Sequence, residues 1–213
     1  MPSIHRILQT LKETYPDTDP EPSTEDPFKT LISCILSQRT RDTNSEKATN
    51  SLFNAASTPE EILRLSQDEL EELVKSSGFY RQKARHIAET CRGLIDIHGG
   101  AVPGDRESLL RLPGVGPKTA DIVLSHSFNV RTVPVDVHVW RVTRRLGLAP
   151  TDADHEEVKK ALEMIVPDDH KLFYDRAALR IGKMYCRKTG PRCGPCPLGP
   201  HCGYKANREI SAP

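Results

Sequence analysis

The sequence lacks a long apolar run, and no segment near its start joins basic residues to a continuous apolar stretch. Met1 to Tyr15 instead has the spacing of an amphipathic helix. This pattern argues against a secretion signal or a membrane anchor. With a hydrophobic content of 37% over 213 residues, we expect a soluble globular protein with a buried core, located inside the cell.

An overall excess of charge is also missing, because the net formal charge is only +1. The charges are nevertheless unevenly distributed. Residues 1–75 contain 8 Lys or Arg and 14 Asp or Glu, whereas residues 170–213 contain 9 and 2. A cationic end of this kind favours a polyanion as partner, and the alternative is an ordinary solvated face.

Convincing strands and internal repeats are absent from the pattern, and the loops are short. Apolar residues recur at helical spacing, which predicts an all-α protein. The segment Val133 to Trp140 alternates like a strand, but Pro134 cannot donate to a ladder and Asp136 is a good helix N-cap. A proline- and acid-rich connector is predicted over Asp17 to Pro27. The predicted helices include Phe28–Leu36, Ala48–Ala56, Pro59–Leu65, Gln67–Lys75, Gln82–His98, Ser108–Leu112, Asp154–Ile165 and Lys171–Met184.

Four of the six cysteines crowd into 17 residues near the C-terminal end. In an intracellular protein such a cluster indicates a metal site rather than disulfides. The C-x6-C-x2-C-x5-C spacing fits four thiolates around a [4Fe–4S] cluster or a tetrahedral zinc ion. Zinc sites usually pair two C-x2-4-C knuckles, and only one is present here, which favours iron–sulfur. The four ligands are Cys186, Cys193, Cys196 and Cys202.

The segment Leu112 to Ala120 predicts a tight turn that leads into a helix. Gly114 and Gly116 would permit positive φ and close approach of a ligand, and the N–H groups at the helix start suit a phosphate. Lys118 would place an amine just beyond that phosphate. The alternative is an ordinary loop with a surface lysine.

A second pattern pairs Lys118 with Asp136, 18 residues later, whose carboxylate would hold or deprotonate the amine. The alternative is that Asp136 only caps a helix, and the two roles are compatible.

The segment Ser37 to Asp42 forms a polar loop that has either a functional role or only turn and capping chemistry. The next helix is expected to begin near Asn44 or Ser45.

Together these motifs resemble the endonuclease III family of DNA glycosylases. Leu112 to Ala120 is similar to that family's helix-hairpin-helix, Val135 to His138 to its catalytic aspartate segment, and the four cysteines to its iron–sulfur spacing. The resemblance covers nearly the whole chain. It implies a monomer of two all-α lobes: a six-helix barrel over residues 22–131 that ends in the hairpin, and a cluster lobe formed by residues 1–21 and 132–213.

The resemblance also implies an activity, a partner and a location. The enzyme would flip a damaged nucleotide out of duplex DNA, lying across the cleft between the lobes. Lys118 would attack C1′ and Asp136 would assist, giving a Schiff base and then β-elimination. The implied function is removal of oxidised pyrimidines in base excision repair, in the cytoplasm or nucleoid. The alternatives are a monofunctional G·T or G·U mismatch glycosylase and a non-enzymatic DNA-binding module stabilised by a metal.

By the same resemblance, Arg39 and Phe79 stand where the family has a glutamine and a leucine that fill the gap left by the flipped nucleotide. Both differ from the bacterial pattern, and these two positions bear on the preference for the opposite base and on the range of lesions. Asp42 and His138 match further pocket positions. The residues predicted to contact DNA are Gln38, Arg39, Asp42, Phe79, Gly114, Val115, Gly116, Thr119, His138, Arg187, Lys188 and Arg192.

Overall fold

The computed structural model describes residues 3–18 and 26–210, with side chains up to residue 206, and these residues contain helices and no strand. The predicted all-α class is confirmed. The α-helices are α1 Ile4–Thr14, α2 Pro27–Ser37, α3 Asp42–Ala55, α4 Pro59–Arg64, α5 Gln67–Leu73, α6 Tyr80–His98, α7 Arg106–Leu110, α8 Pro117–Ser127, α9 Val137–Leu146, α10 His155–Ile165, α11 Lys171–Met184 and α12 Gly203–Ile210. Short 3-10 helices cover Pro16–Thr18, Asp168–His170 and Gly199–His201.

Several helix boundaries differ from those predicted. Helix α3 begins at Asp42 rather than near Asn44 or Ala48, so its first turns are more polar than a hydrophobic pattern detects. Helix α7 begins at Arg106, because the Asp105 side chain accepts from the Ser108 N–H. The predicted connector starts with a 3-10 turn, and residues 19–25 of it lie outside the described residues. Helix α12 was not predicted.

The short helices begin at side-chain caps. Thr58 and Ser66 each form a capping box with the glutamate three residues later, Glu61 and Glu69. Each box satisfies two N–H groups that the start of a helix leaves without an intrahelical partner. These caps explain how helices of six and seven residues have fixed boundaries.

The chain divides into two compact units, each with its own apolar core. The hairpin unit is Pro22–Val130, and the cysteine unit is Met1–Glu21 with Arg131–Pro213. No helix in the described stretches has both the length and the hydropathy to cross a bilayer. The fully buried centre of the hairpin unit includes Leu31, Ile32, Ile87, Leu94 and Val123, and that of the cysteine unit includes Ile7, Leu11, Val139, Phe173 and Tyr174.

Helix α8 packs on α2 and α7 in the hairpin unit, and α9 packs on α11 in the cysteine unit. Buried positions Ala120, Val123 and Leu124 place the start of α8 at the edge of its core. In the same way Val139 and Val142 fix α9. Lys118 therefore lies in the first turn of α8, and Asp136 is the N-cap of α9. Both helices are anchored in a core.

A buried hydroxyl pair tests the packing of α9 on α11. Thr143 and Tyr174 are fully buried, and their hydroxyl oxygens are 2.9 Å apart. We expect Tyr174→Phe to lower the free energy of unfolding by about 1–2 kcal/mol, because it leaves the Thr143 hydroxyl without this partner. Thr143→Val combined with Tyr174→Phe should cost less than the sum of the single changes in urea unfolding. Strict additivity would contradict this interpretation.

Candidate functional site

The hairpin turn before α8 is held by side chains from two other helices of its unit. Gln38 Nε2 donates to the Gly114 carbonyl at 2.8 Å, and Thr90 Oγ1 donates to the Pro113 carbonyl at 2.7 Å. Gly114 has φ +77°, and a Cβ there would lie 3.1 Å from the His86 side chain. The turn therefore requires glycine at this position for both its conformation and its packing.

Gly116 differs from the sequence prediction. Its φ is −97°, so the expected positive φ is wrong at this residue, because one left-handed residue, Gly114, suffices to turn the chain. Gly116 is the N-cap of α8, has no side-chain capping bond, and a Cβ there would meet no atom within 4 Å. Its glycine leaves open space next to the first N–H groups of α8, which suits the approach of an anion.

Lys118 is the second residue of α8 and its side chain is exposed. Pro117 precedes it at the first helical position, where a missing N–H costs nothing. The neighbouring side chains of Val115 and Thr119 are buried, with 7% and 5% exposure. Only the main chain of these two predicted contact residues can face a ligand, whereas the side chain of Lys118 is exposed.

Two loop tips in the hairpin unit have left-handed backbones without being glycine. Arg39 has φ 50° and Phe79 has φ 57°. Phe79 is 62% exposed, and the guanidinium carbon of Arg39 lies 5.9 Å from its ring centroid. Tyr80, the next residue, is half-buried against the core of the unit because it starts α6. Asp42, the first residue of α3, is exposed.

Asp136 is the N-cap of α9 and is 9% exposed. Its Oδ1 accepts from the N–H groups of His138 and Val139, both at 2.8 Å. The capping role that the sequence allowed is thus present. Two main-chain donors on one oxygen fix the carboxylate in orientation.

His138 follows Asp136 into the first turn of α9. A Cβ on Gly182 would come within 2.6 Å of the His138 side chain, so this position in α11 requires glycine. Arg141 Nη2 donates to His138 Nδ1 at 3.0 Å, and the same nitrogen reaches the Gly182 carbonyl at 3.2 Å. The imidazole is therefore held by α11 and by Arg141 rather than rotating freely.

Arg141 and Arg145 bind the backbone around the first cysteine of the cluster, and the sequence interpretation missed both residues. Arg141 Nε donates to the Cys186 carbonyl at 2.6 Å. Arg145 Nη1 donates to the Cys186 sulfur at 3.4 Å and to the Arg187 carbonyl at 2.8 Å, while its Nη2 reaches the Lys188 carbonyl at 3.3 Å. The sequence indicates these contacts only by placing two arginines one turn apart on α9. Their partners 41 or more residues away are decided by the fold.

The four clustered cysteines line one cavity of about 30 Å³. Burial raises the pKa of Cys196 and of Cys202, and the other thiols around the cavity raise both further. Within residues 3–18 and 26–210, no group of three or more His, Cys, Asp or Glu side chains has the arrangement of a metal-ion site. Four thiols around one small cavity are nevertheless the donor type that an iron–sulfur cluster takes.

The loop between the first two cysteines carries the three predicted cations. Arg187, Lys188 and Arg192 are all exposed. The backbone of their loop is held by hydrogen bonds. Arg145 donates to two of its carbonyls, and the Arg192 N–H donates to the Tyr185 carbonyl at 2.9 Å. The three cations are thus presented on an ordered loop.

Residues 32–168 match the HhH-GPD superfamily of base excision DNA repair proteins. The match covers both the hairpin with Lys118 and the N-cap Asp136. The chain belongs to this superfamily, which agrees with a helix start suited to an anion and an amine placed beside it.

Individual relatives define the family of the chain more narrowly than the superfamily match does. It is 40% identical to endonuclease III of Thermotoga maritima over 205 residues, covering 96% of this chain and 94% of that protein. It is 37% identical to endonuclease III of Escherichia coli K12, covering 96% of each. The chain is a member of the endonuclease III family, and the family and enzyme class predicted from the sequence, a base excision repair glycosylase with lyase activity, are confirmed.

Solved structures agree with this membership. A trapped covalent intermediate of endonuclease III and DNA superposes with a TM-score of 0.87 at 37% identity and covers 97% of each chain. A thermostable thymine-DNA glycosylase superposes with a TM-score of 0.85 at 26% identity, covering 95% of this chain and 96% of that one.

Substitutions at the two glycines of the hairpin separate an effect on DNA binding from an effect on the stability of the protein. We expect Gly116→Ala to leave the free energy of unfolding unchanged within about 1 kcal/mol, because its φ is ordinary and its surroundings are open. It should weaken binding to abasic-site duplex about tenfold by blocking close approach of a phosphate. Fluorescence anisotropy and urea unfolding measure the two effects.

Gly114→Ala is the matched control. It should cost about 1–2 kcal/mol of folding, because the left-handed backbone and the His86 contact both oppose a Cβ. Unimpaired DNA binding by Gly116→Ala would refute the assignment of this glycine to phosphate approach.

Proposed function

We propose that this protein excises oxidised pyrimidines from duplex DNA and then cleaves the strand at the abasic site, with Lys118 as nucleophile. The observation that carries the proposal is the exposed amine of Lys118 on the first turn of α8, directly after a glycine hairpin with open space at its N-cap. Membership of the endonuclease III family supports it, and so does the covalent DNA intermediate trapped with a relative.

The proposed chemistry begins with a nucleotide flipped out of the duplex. The neutral Lys118 amine attacks C1′ of the sugar, a C–N bond forms, and the glycosidic bond breaks with its electron pair leaving on the base. Loss of a proton from nitrogen and opening of the sugar ring give a Schiff base. Removal of a C2′ proton then expels the 3′ phosphate by β-elimination and cleaves the strand.

Asp136 is proposed to assist through its charge. The carboxylate is fixed by two main-chain N–H groups on Oδ1, and its negative charge would stabilise the positive charge that develops on the sugar, or the carboxylate would accept a proton.

The loop tips are proposed to fill the space left by the flipped nucleotide. Phe79 offers an exposed aromatic face, and Arg39 offers a planar guanidinium that can stack or donate to the orphan base. The exposed Arg187, Lys188 and Arg192 would hold a backbone phosphate.

The cofactor is proposed to be a [4Fe–4S] cluster held by the four cysteines of the cavity, with a zinc ion as the alternative. When bound, the cluster supplies structural cross-linking of the loop rather than chemistry on DNA. Arg141 and Arg145 already fix the backbone around Cys186, so the cationic loop and α9 are held together.

Borohydride trapping tests the nucleophile. With a duplex that contains thymine glycol or an abasic site, the parent protein should form a covalent adduct, and Lys118→Gln should form none, because an amide cannot make a reducible Schiff base. An adduct of equal yield from Lys118→Gln would exclude the proposed role.

Asp136→Asn separates capping from catalysis. Asn is as good an N-cap as Asp, so the free energy of unfolding should change by less than about 1 kcal/mol. Base release should slow by about 100-fold or more, since the charge that stabilises the sugar is removed. A variant with normal stability and a normal rate would restrict Asp136 to the cap.

A monofunctional mismatch glycosylase is the second candidate, favoured by the likeness to a thymine-DNA glycosylase. On a G·T duplex such an enzyme releases thymine and leaves the strand intact. A panel of thymine glycol, abasic and G·T duplexes, scored for base release and strand scission, separates the two functions.

Replacing a cysteine tests the cofactor. The purified protein should contain about four iron atoms per chain and show broad visible absorption from iron–thiolate charge transfer. Cys196→Ser should lose iron and lower the midpoint of thermal unfolding, because the loop loses a cross-link. Cys34→Ser, at a cysteine outside the cluster, is the matched control and should keep its iron. A colourless protein that holds zinc after anaerobic purification would identify the alternative metal.

A further inference from the structure

Lys83 is a buried cation that the proposed mechanism does not use. It lies on the first turn of α6, four residues after Phe79, and is 5% exposed. Burial lowers the pKa of Lys83 to about 8, so most of the amine is still protonated at neutral pH. An ammonium kept in a protein interior needs dedicated acceptors.

Four oxygen atoms surround the Lys83 Nζ at distances of 2.6–2.8 Å. None of them belongs to a carboxylate. Two are the carbonyls of Leu36 and Gln38 at the C-terminal end of α2, and two are the hydroxyls of Thr40 and Ser77. A cation at this end of a helix is favoured by its dipole and satisfies carbonyls that have no intrahelical partner.

The two hydroxyls are oriented to accept from the ammonium. Thr40 Oγ1 donates to the Gln38 carbonyl at 3.2 Å, and Ser77 Oγ donates to the Leu36 carbonyl at 3.0 Å. Each hydroxyl hydrogen is therefore used on a carbonyl, and the oxygen lone pairs face Lys83. The result is a closed network that joins the loop after α2 to the loop before α6.

These are the loops whose tips carry Arg39 and Phe79. They approach closely, because the Gly78 N–H donates to Thr40 Oγ1 at 3.0 Å and a Cβ on Gly78 would lie 3.0 Å from the Arg39 carbonyl. Left-handed conformations at two non-glycine tips cost about 1 kcal/mol or more each and persist only where the surroundings impose them. Lys83 binds the residues on both sides of Arg39, Gln38 and Thr40, and Ser77 two residues before Phe79.

The same network extends to the hairpin. The Gln38 carbonyl accepts from Lys83, and the Gln38 side chain donates to the Gly114 carbonyl. Gln38 was predicted to contact DNA, but its amide nitrogen is engaged with the protein. One residue thus connects the turn before Lys118 with the two loop tips.

We propose that Lys83 is a positioning residue that fixes Arg39 and Phe79 as one preassembled wedge and keeps this wedge in register with the hairpin of Lys118. Lys83 itself is buried and does not reach DNA. The inference rests on the proposed function, because a wedge has a role only if a nucleotide is flipped out. The inference adds to that function a role for Lys83, which makes the two loops insert into the DNA together.

Lys83→Met tests the proposal, since it keeps the apolar stem and removes the ammonium. On duplex DNA with a single thymine glycol, single-turnover base release should slow by about 10- to 100-fold, the effect of misplacing a positioning group. The signal of 2-aminopurine next to the lesion, which rises when the stack opens, should fall in parallel. A loss of stability alone would not reduce the 2-aminopurine signal of the folded protein.

A double-mutant cycle with Phe79→Ala distinguishes positioning from general damage. Once the wedge residue is gone, Lys83→Met should slow the reaction by no more than about twofold further, because both changes remove the same insertion step. Equal losses in the two backgrounds, or a parent-like 2-aminopurine signal and rate for Lys83→Met, would overturn the proposal. If Lys83→Met fails to fold, Thr40→Val replaces it as the test variant, because it removes one acceptor of the ammonium. We expect Thr40→Val to lower the rate of base release and the 2-aminopurine signal by a smaller amount.

Lys159→Met is the matched control. Lys159 is a buried lysine of the cysteine unit that pairs with Glu163 at 2.7 Å. Its replacement should destabilise the protein without changing the 2-aminopurine response. Borohydride trapping of the parent separates the two proposals. If the parent forms no adduct, the proposed function fails. If the parent forms an adduct and Lys83→Met keeps a parent-like rate and 2-aminopurine signal, only the role of Lys83 is overturned.

Discussion

The buried ammonium of Lys83 is the interaction on which the organisation of the hairpin unit depends. It draws the end of α2, the loop after it and the start of α6 around one positive charge. A cation without water is stable only when its acceptors are close and correctly oriented, so the positions of both loops are restricted by the same group. The hairpin joins this arrangement through Gln38, and Lys118 follows two residues after the hairpin's Gly116.

The cysteine unit is organised on a comparable principle, with guanidinium groups in place of an ammonium. Arg141 and Arg145 extend from α9 to carbonyls around Cys186, and the N-cap of the same helix is Asp136. The helix that orients the carboxylate is thereby tied to the loop that presents cations to solvent. Planar guanidinium groups with several donors suit this task, because each can bind two or three carbonyls in fixed directions. Fixed donors and acceptors of this kind are what an enzyme needs when it must recognise a flipped sugar without rearranging.

Much of the fold and part of the site could be predicted from local patterns. Helical periodicity identified most of the helices, and the predicted starts at Pro59 and Gln67 match those of α4 and α5, whose capping boxes involve residues only three apart. The start of α3 was missed because its polar first turns have weak periodicity, and the presence of α12 was not predicted. The positive φ expected at Gly116 was wrong, because a glycine allows such a conformation without requiring it. The roles of Lys83, Arg141 and Gly182 depend on partners far along the chain and left no local signal.

The sequence by itself determined the all-α class, the family, the hairpin with its lysine, and the set of four cysteines. These are properties of spacing and residue type, which short-range physics and motif order are enough to define. The tertiary structure alone decided which charges are buried, which main-chain carbonyls they bind, and which glycines are sterically required. Packing brings residues 41 or 45 positions apart within hydrogen-bond distance, as it does for Arg145 with Cys186 and for Lys83 with Gln38. Such contacts follow from the path of the whole chain, so no local pattern contains them.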